Sequence, residues 1–375
     1  MKILIVSEFF PNGKELKFSG GVEARNFYLA RELAKKHSIT ILTSKTNDAK
    51  NNETMFNIRI LRVGPVHSYQ PTAGSILTRL IFIKDAIKIG KNIDADIVDG
   101  TNFITHLIAK QISIQKKIPV VAWYPDVWLG KWLENVGLVG IFGEVLERIN
   151  IARDFDSYIA ISKSTAQKLK TRTKKKIHII PCGVDETEFF LPVNKVQDTI
   201  ICISRLAKYK RIKTLILAFA LLSKTRKNLR LKIIGSGPDS KNLKSLTDNL
   251  NLSDKISFSS NLSRKELVES LKSSQIFCLP SEVEGFGISV IEAACAKVPY
   301  VISNINVFRE ITKNGQGGLL FKLNDPFDMA QKIKKLLSNK KLYGQKIKEG
   351  LELSKNYKWP KIASLTEDVY SNVCK

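Results

Sequence analysis

The sequence predicts an α/β protein made of two Rossmann-like, doubly wound parallel-sheet domains facing a central cleft. Three observations carry that expectation. At 375 residues the chain is longer than one hydrophobic core usually grows before it splits. Short runs of Ile, Val and Leu alternate with longer segments of helical apolar spacing, the order that builds a parallel sheet with right-handed crossovers. The alternation pauses over residues 183–198 and then starts afresh, so the pattern occurs twice in succession.

The elements follow in order. Residues 3–6, Ile-Leu-Ile-Val, form a buried-strand run, and a loop with Pro11 and Gly13 leads to Gly20-Gly21. Residues 22–36 carry Val22, Phe27, Leu29, Ala30, Leu33 and Ala34 at helical spacing. Further strands are expected at 39–43, 58–63, 97–98, 119–122, 158–161 and 177–180. The second half repeats the pattern with strands at 199–203, 231–234, 255–258, 276–279 and 299–302. The apolar run 214–222, bounded by Lys213 and Lys224, suits a buried helix, and residues 360–373 read as an amphipathic helix. The expected division is 1–190, 191–355 and a terminal segment 356–375.

Apolar residues make up 43% and charged residues 25% of the chain, which excludes a disordered protein, a collagen-like fibre and a disulfide scaffold. No run reaches the roughly 18 apolar residues that span a bilayer. The N-terminal Met1-Lys2-Ile3-Leu4-Ile5-Val6 is too short for a signal-peptide core, so a cytoplasmic location is expected. Five cysteines (Cys182, Cys202, Cys278, Cys295, Cys374) show no C-x-x-C spacing, which fits a reducing compartment, and with four histidines no metal site is expected. The net charge is +25, from 60 Lys and Arg against 35 Asp and Glu. Such an excess points to an anionic partner. It runs through both halves and is dominated by Lys, unlike the concentrated Arg of a duplex reader, so no nucleic acid is expected. The alternative is a lysine-rich solvated surface.

The densest chemical signal is Ser281-Glu282-Val283-Glu284-Gly285-Phe286-Gly287-Ile288-Ser289-Val290-Ile291-Glu292. It follows a strand and opens a helix. Gly285 and Gly287 allow close backbone approach, and the amides of Ile288 and Ser289 stand free at the helix start as an anion site. Glu284 and Glu292 flank that site, an arrangement suited to the phosphates and hydroxyls of a nucleotide sugar. Taken alone, the segment reads better as a helix start with acidic residues on the favourable end of the dipole. The strand 199–203 ends in Ser204-Arg205-Leu206-Ala207-Lys208-Tyr209-Lys210, placing two cations at a strand's carboxyl end. Arg offers a bidentate fork to phosphate and Lys a point charge.

Together these residues resemble the family 4 (group 1) retaining glycosyltransferases of GT-B architecture. Glu284 to Glu292 matches the E-x7-E motif, Arg205-Leu206-x-x-x-Lys210 the R-L-x-x-x-K motif, and Gly20-Gly21-Val22-Glu23 the N-terminal glycine loop. Ile161-Ser162, Pro181-x-Gly183-Val184-Asp185 and Asn324-Asp325 fall at comparable landmarks. The resemblance implies that Arg205, Lys210 and the Ile288 and Ser289 amides hold a donor diphosphate, beside Phe286 and Gly287. It implies that Glu292 binds ribose hydroxyls, Glu284 binds the transferred sugar, and Gly21 approaches the donor phosphate. The loop 260–262, with Leu262, would take part in base selection. The implied reaction is retaining transfer of a hexose from a nucleotide diphosphate sugar to a glycan or lipid-linked acceptor, without metal or other cofactor. The final helix is expected to cross back to the N-terminal domain.

The chain departs from the family pattern at Pro125, where many members carry His. His106 lies upstream, and Asp126 is the nearer candidate to contact sugar or acceptor. Arg211 replaces a usual Gly and adds charge beside the phosphate site, and Cys182 replaces an Asn. Residues 76–91 read as a basic amphipathic helix, and 123–145 add Trp128, Trp132, Leu133, Val136, Leu138 and Phe142. Aromatics beside lysines suit an anionic membrane surface, and the alternative is a core helix with a solvated lysine face. The basic run 168–176 reads as a solvated helix end. Two other functions remain open at this point: a nucleotide-sugar epimerase of the same fold, and a non-enzymatic polyanion-binding protein.

Overall fold

Each run of β-branched residues and leucine becomes a central strand, because a strand covered by helices on both faces can bury every side chain. The computed structural model describes residues 1–13, 16–18, 20–47, 49–66 and 74–375, with backbone only at 74 and 75. The chain divides into one unit of Met1–Gly183 with Trp359–Lys375 and a second of Val184–Lys358.

In unit 1 the strands are β1 (Lys2–Val6), β2 (Ser38–Lys45), β3 (Asn52–Met55), β4 (Ile58–Val66), β5 (Ile97–Gly100), β6 (Val120–Tyr124), β7 (Ser157–Ala160) and β8 (Ile177–Ile179). They form one sheet in the order β3-β4-β2-β1-β5-β6-β7-β8. All pairings are parallel except β3 with β4, a hairpin absent from the sequence expectation. Its turn residues Phe56 and Asn57 both have positive φ, 53° and 61°, the backbone hand that suits a two-residue hairpin loop. The crossover helices are α1 (Gly21–Leu33), α2 (Gly74–Gly90), α3 (Phe103–Lys116), α4 (Trp132–Val136), α5 (Gly140–Ala152) and α6 (Lys163–Lys170). On one face of the sheet, Leu4, Val6, Val98, Val120 and Ala122 pack with Phe82, Ile104, Ile108 and Ile112 from α2 and α3.

Unit 2 has six strands: β9 (Thr199–Ile203), β10 (Arg230–Ile234), β11 (Ile256–Ser259), β12 (Ile276–Leu279), β13 (Tyr300–Ser303) and β14 (Gly318–Phe321). Their order is β11-β10-β9-β12-β13-β14, parallel throughout. The helices are α7 (Ile212–Ser223), α8 (Ser240–Asn249), α9 (Arg264–Ser273), α10 (Ile288–Cys295), α11 (Asn306–Ile311), α12 (Pro326–Ser338) and α13 (Lys340–Ser354). The apolar run 214–222 lies in α7, with Leu215, Ile216, Ala218 and Phe219 fully buried. No helix among the described residues is long and apolar enough to cross a membrane.

The chain then returns to unit 1 as α14 (Trp359–Val373). Trp359 stacks on Tyr28 of α1 with ring centroids 5.6 Å apart. Farther along, the Tyr370 hydroxyl donates to Asp99 Oδ2 at 2.5 Å, and the Arg25 guanidinium lies 3.6 Å from the same oxygen. Arg25 also covers the Trp123 ring at 4.4 Å. Asp99 is wholly buried, and burial pushes its carboxyl up despite Arg25. A buried carboxylate that loses one of few donors is expensive. All four tryptophans lie in unit 1, so their fluorescence reports that unit's unfolding alone. Tyr370→Phe is expected to move the urea transition seen by tryptophan emission to lower denaturant, by about 1–3 kcal/mol.

Candidate active site

In a doubly wound sheet, ligands sit beyond the strand carboxyl ends where strand order reverses. In unit 2 that point lies between β9 and β12, since β10 and β11 build outward on one side and β13 and β14 on the other. The loops there are residues 204–211 after β9 and 280–287 after β12, which hold Arg205, Lys210, Glu284, Phe286 and Gly287 of the site residues expected from the sequence.

The loop after β9 is clamped by the one after β10. Ser204 N donates to Ile234 O at 3.0 Å and Leu206 N to Ser236 O at 2.9 Å. The approach is so close that a Cβ on Gly235, whose φ is +147°, would fall 1.9 Å from Ser204 O. Arg205, half-buried, rides on this clamp, and residues Lys208–Lys210 form a short 3-10 turn beyond it. Lys210 Nζ lies 2.5 Å from Glu284 Oε1, which also accepts from Ser281 Oγ at 2.9 Å. Glu282 N donates to Tyr209 O at 2.9 Å, so backbone and side chains both join the two loops. The loop ends at Gly287, with φ +94°, where a Cβ would press to 2.7 Å from the Phe308 ring. Gly287 caps α10, which begins at Ile288 and Ser289, and Phe286 is buried edge-on to Tyr357.

Glu292 is buried one turn into α10, and its Oε1 meets Arg264 NH2 at 2.6 Å. Arg264 also reaches Glu188 Oε2 with Nε and NH2, at 2.9 and 2.7 Å. Neither Arg264 nor Glu188 was expected from the sequence. They stand 76 positions apart, and no local spacing links them; the one available cue was the Ser263-x-x-Glu266 capping box that sets the start of α9. Leu262 lies just before that cap and lines a separate hollow with Lys232, Ser257 and Ser259.

Arg211 needs correcting as a source of free positive charge. Its guanidinium is 2.5 Å from Glu282, and its backbone has φ 51° and ψ 33°. That left-handed geometry accounts for glycine being usual at this position, because α7 starts from a residue most side chains disfavour.

The structure therefore joins Arg205, Lys210, Glu284, Gly287, Ile288, Ser289 and Glu292 through neighbouring loops of unit 2, while Gly21 and Asp126 lie in unit 1. Gly21 is the exposed first residue of α1. Asp126 follows β6 with its carboxylate occupied: Lys168 Nζ at 2.5 Å, Val127 N at 2.8 Å and Trp128 Nε1 at 3.1 Å. Lys168 is thus tied to Asp126 rather than part of a merely solvated helix end. Burial nonetheless pushes the Asp126 carboxyl up. His106 is buried and neutral, with Nε2 2.9 Å from Trp123 O and its pKa lowered by burial to about 4. Trp123 is a core strand residue, and Phe142 packs partly buried against the core. At unit 1's own reversal point, between β1 and β5, Glu8 accepts from Arg79 Nε at 2.7 Å and Asn102 Nδ2 at 3.2 Å. This buried carboxylate was also missed, since a lone Glu after a strand carries no pattern.

Two expectations follow. Gly235→Ala drives Cβ into a carbonyl and should lower the stability of unit 2 by roughly 1–3 kcal/mol or more, read as a lower thermal midpoint by circular dichroism. Glu147, which accepts from Trp128 N at 3.2 Å and Trp132 Nε1 at 2.5 Å, has its pKa raised by burial from 4.5 to about 7. Between those values the folded protein holds a proton the unfolded chain has released, so unit 1 loses stability as pH rises through that window. Tryptophan-monitored urea titrations should show that slope, and Glu147→Gln should flatten it.

Comparison with known proteins places this geometry. Residues 184–352 match the sequence profile described as glycosyl transferases group 1, and residues 19–188 that of glycosyltransferase family 4. An uncharacterized glycosyltransferase of Haemophilus influenzae is 29% identical over 228 residues, 56% of this chain and 63% of that protein, so the match spans under two thirds of the relative's length. Among solved structures, a sucrose-phosphate synthase from Thermosynechococcus elongatus superimposes with a TM-score of 0.85 at 18% identity, covering 99% of this chain and 98% of that one. The Anabaena protein HepE, solved in complex with UDP-glucose, gives 0.75 at 15% identity, covering 99% and 100%.

Proposed function

We propose, from the premise that this chain belongs to the group 1, family 4 glycosyltransferases and has their GT-B fold, that it moves a hexose from a nucleotide diphosphate sugar to a glycan or lipid-linked acceptor with retention of configuration. One observation carries the reading. The loops at the strand-order reversal of unit 2 join Lys210 to Glu284, and the same loops carry Arg205 and lead into the start of α10, which bears Glu292.

The chemistry follows from charge. The bond from the sugar's anomeric carbon to the phosphate oxygen breaks with its electron pair leaving on the nucleoside diphosphate. Arg205, Lys210 and the Ile288 and Ser289 amides meet that negative charge, and fixed donors of this kind contribute on the order of 3 kcal/mol each to lowering the barrier. The bond to the acceptor oxygen forms on the same face, and the acceptor proton passes to the departing phosphate. Lys210 is shared between the leaving group and Glu284, which orients it before the donor arrives and also faces sugar hydroxyls. Glu292, steadied by Arg264, accepts from the ribose. The mechanism calls on no metal, so turnover is expected to be unchanged by EDTA.

The acceptor belongs with unit 1. On α2, Leu77 is 65% exposed, and Leu80 and Ile81 stand out beside Lys84 and Lys88. On and before α5, Leu138 is 81% exposed, with Ile141, Val145 and Ile149 exposed at intervals of three, four and four residues after it. Apolar side chains among cations fit a peripheral place on an anionic membrane surface, where a lipid-linked acceptor is reached.

The test is a thermal-shift panel of nucleotide sugars, headed by UDP-glucose, followed by transfer assays with the best donor. Arg205→Ala and Glu292→Ala should each lower kcat/KM by about 10²-fold or more, and Glu292→Ala, which leaves Arg264 with Glu188 alone, should also lower the thermal midpoint of the unliganded protein. Full transferase activity in both would sink the site assignment, and donor turnover without acceptor would point to an epimerase. Co-sedimentation with phosphatidylglycerol vesicles should weaken with salt and be lost in Leu77→Glu with Leu80→Glu.

A further inference from the structure

Unit 2 contains a second cavity, of about 760 Å³, whose walls include none of the residues assigned to the sugar donor. It lies at the opposite end of α10, where Cys295, Ala296 and Lys297 form one wall. Six lysines line it (Lys195, Lys272, Lys297, Lys348, Lys355 and Lys358) against two glutamates. Both glutamates are already spoken for: Glu352 pairs with Lys355 at 2.6 Å and Glu186 with Lys358 at 2.7 Å. Lys297 and Lys348 have no ion-pair partner among the described residues, and Lys272 spends donors on the Phe189 and Leu191 carbonyls instead.

The positive charge here is concentrated and unrelieved. Lys195 is exposed as a residue, and its ammonium donates to Ser274 O at 2.9 Å. Burial first, and the neighbouring Lys272 second, lower its pKa to about 8. Lys272 is itself pushed down, by burial and then by Lys297. Several cations lining one recess fit a site that a polyanion completes. Apolar side chains border it as well: Phe190 is 72% and Leu191 42% exposed on the segment that Lys272 pins in place. The volume is that of a small-molecule site, roughly 300–1,000 Å³.

We propose that this cavity binds a soluble small molecule carrying two or more phosphoryl groups and a flat or apolar portion, independently of the sugar-donor site. The phosphoryl groups take the Lys195, Lys272, Lys297 and Lys348 ammoniums, and the rest of the ligand lies on Phe190 and Leu191. The other charged groups facing Lys195 across the cavity are Glu186, Glu352, Lys355 and Lys358, which are paired among themselves.

The experiment is calorimetric titration of the full chain with inorganic pyrophosphate. Binding should persist in Arg205→Ala and fall about tenfold or more in Lys297→Glu with Lys348→Glu, a loss of 1.4 kcal/mol per decade. The same charge change placed away from the cavity, Lys241→Glu with Lys334→Glu, should leave affinity within about twofold, since distant surface charges are screened. Between about pH 7 and pH 9, wild-type affinity should fall relative to Lys195→Arg, which keeps its charge throughout. Equal losses from the cavity pair and the distant pair would overturn the proposal in favour of a diffuse field. Loss in Arg205→Ala with retention in the cavity pair would place pyrophosphate at the donor site and overturn it too. So would no binding of pyrophosphate by the wild type, or binding confined to phosphatidylglycerol vesicles.

Discussion

The contact of the loop after β9 with the loop after β10, backbone against backbone at Gly235, is the constraint from which the site in unit 2 is built. Hydrogen bonds from Ser204 and Leu206 hold that contact without side-chain help. Main-chain restraint matters because Arg205 and Lys210 are long side chains whose freedom would otherwise blur their positions. From the clamp outward, Lys210 engages Glu284, Glu282 engages Tyr209, and Arg264 engages both Glu188 and Glu292. Loops following β9, β10, β11 and β12 are thereby linked to one another. Such preorganisation is what electrostatic catalysis requires, since donors that need not rearrange lose nothing at the moment of reaction.

The same view orders the charge. A net +25 says little by itself, because many of the lysines sit on solvated surface. Inside the loop cluster three cations have carboxylates: Lys210 with Glu284, Arg211 with Glu282, Arg264 with Glu188 and Glu292. The lysine cavity behind α10 is different in kind, since its cations outnumber its carboxylates and repel each other.

Much of this was legible in the sequence, and the exceptions have physical reasons. Buried parallel strands announce themselves as apolar runs, so β1, β9 and β12 were read where they lie. The strand β3, Asn-Glu-Thr-Met, is a polar edge strand held by one neighbour, and β14 is four residues beginning with glycine. Neither has a period long enough to read. Arg205, Lys210, Glu284 and Glu292 could be singled out from the sequence because their spacing is local. Arg264, Glu188, Glu8 and Arg79 could not, because long-range pairs leave no trace in spacing. Several landmarks proved to be folding signals: Ser162 caps α6, Asp185 caps the turn Glu186–Phe189, and Asp325 caps α12 after Asn324 at φ 61°. The departure at Arg211 was visible, but only its backbone angles explain it.

The placement of α14 in unit 1 has a consequence for how the protein is made. Arg25 and Asp99 leave the ribosome early, whereas Tyr370 and Trp359 follow only after all of unit 2 has been translated. At about 5–20 residues per second that interval is on the order of ten seconds or more. Unit 2, whose segments are contiguous, can finish folding in that time. Unit 1 meanwhile holds a buried carboxylate short of its hydroxyl donor and an uncovered Tyr28 ring, so the half synthesised first is the half completed last.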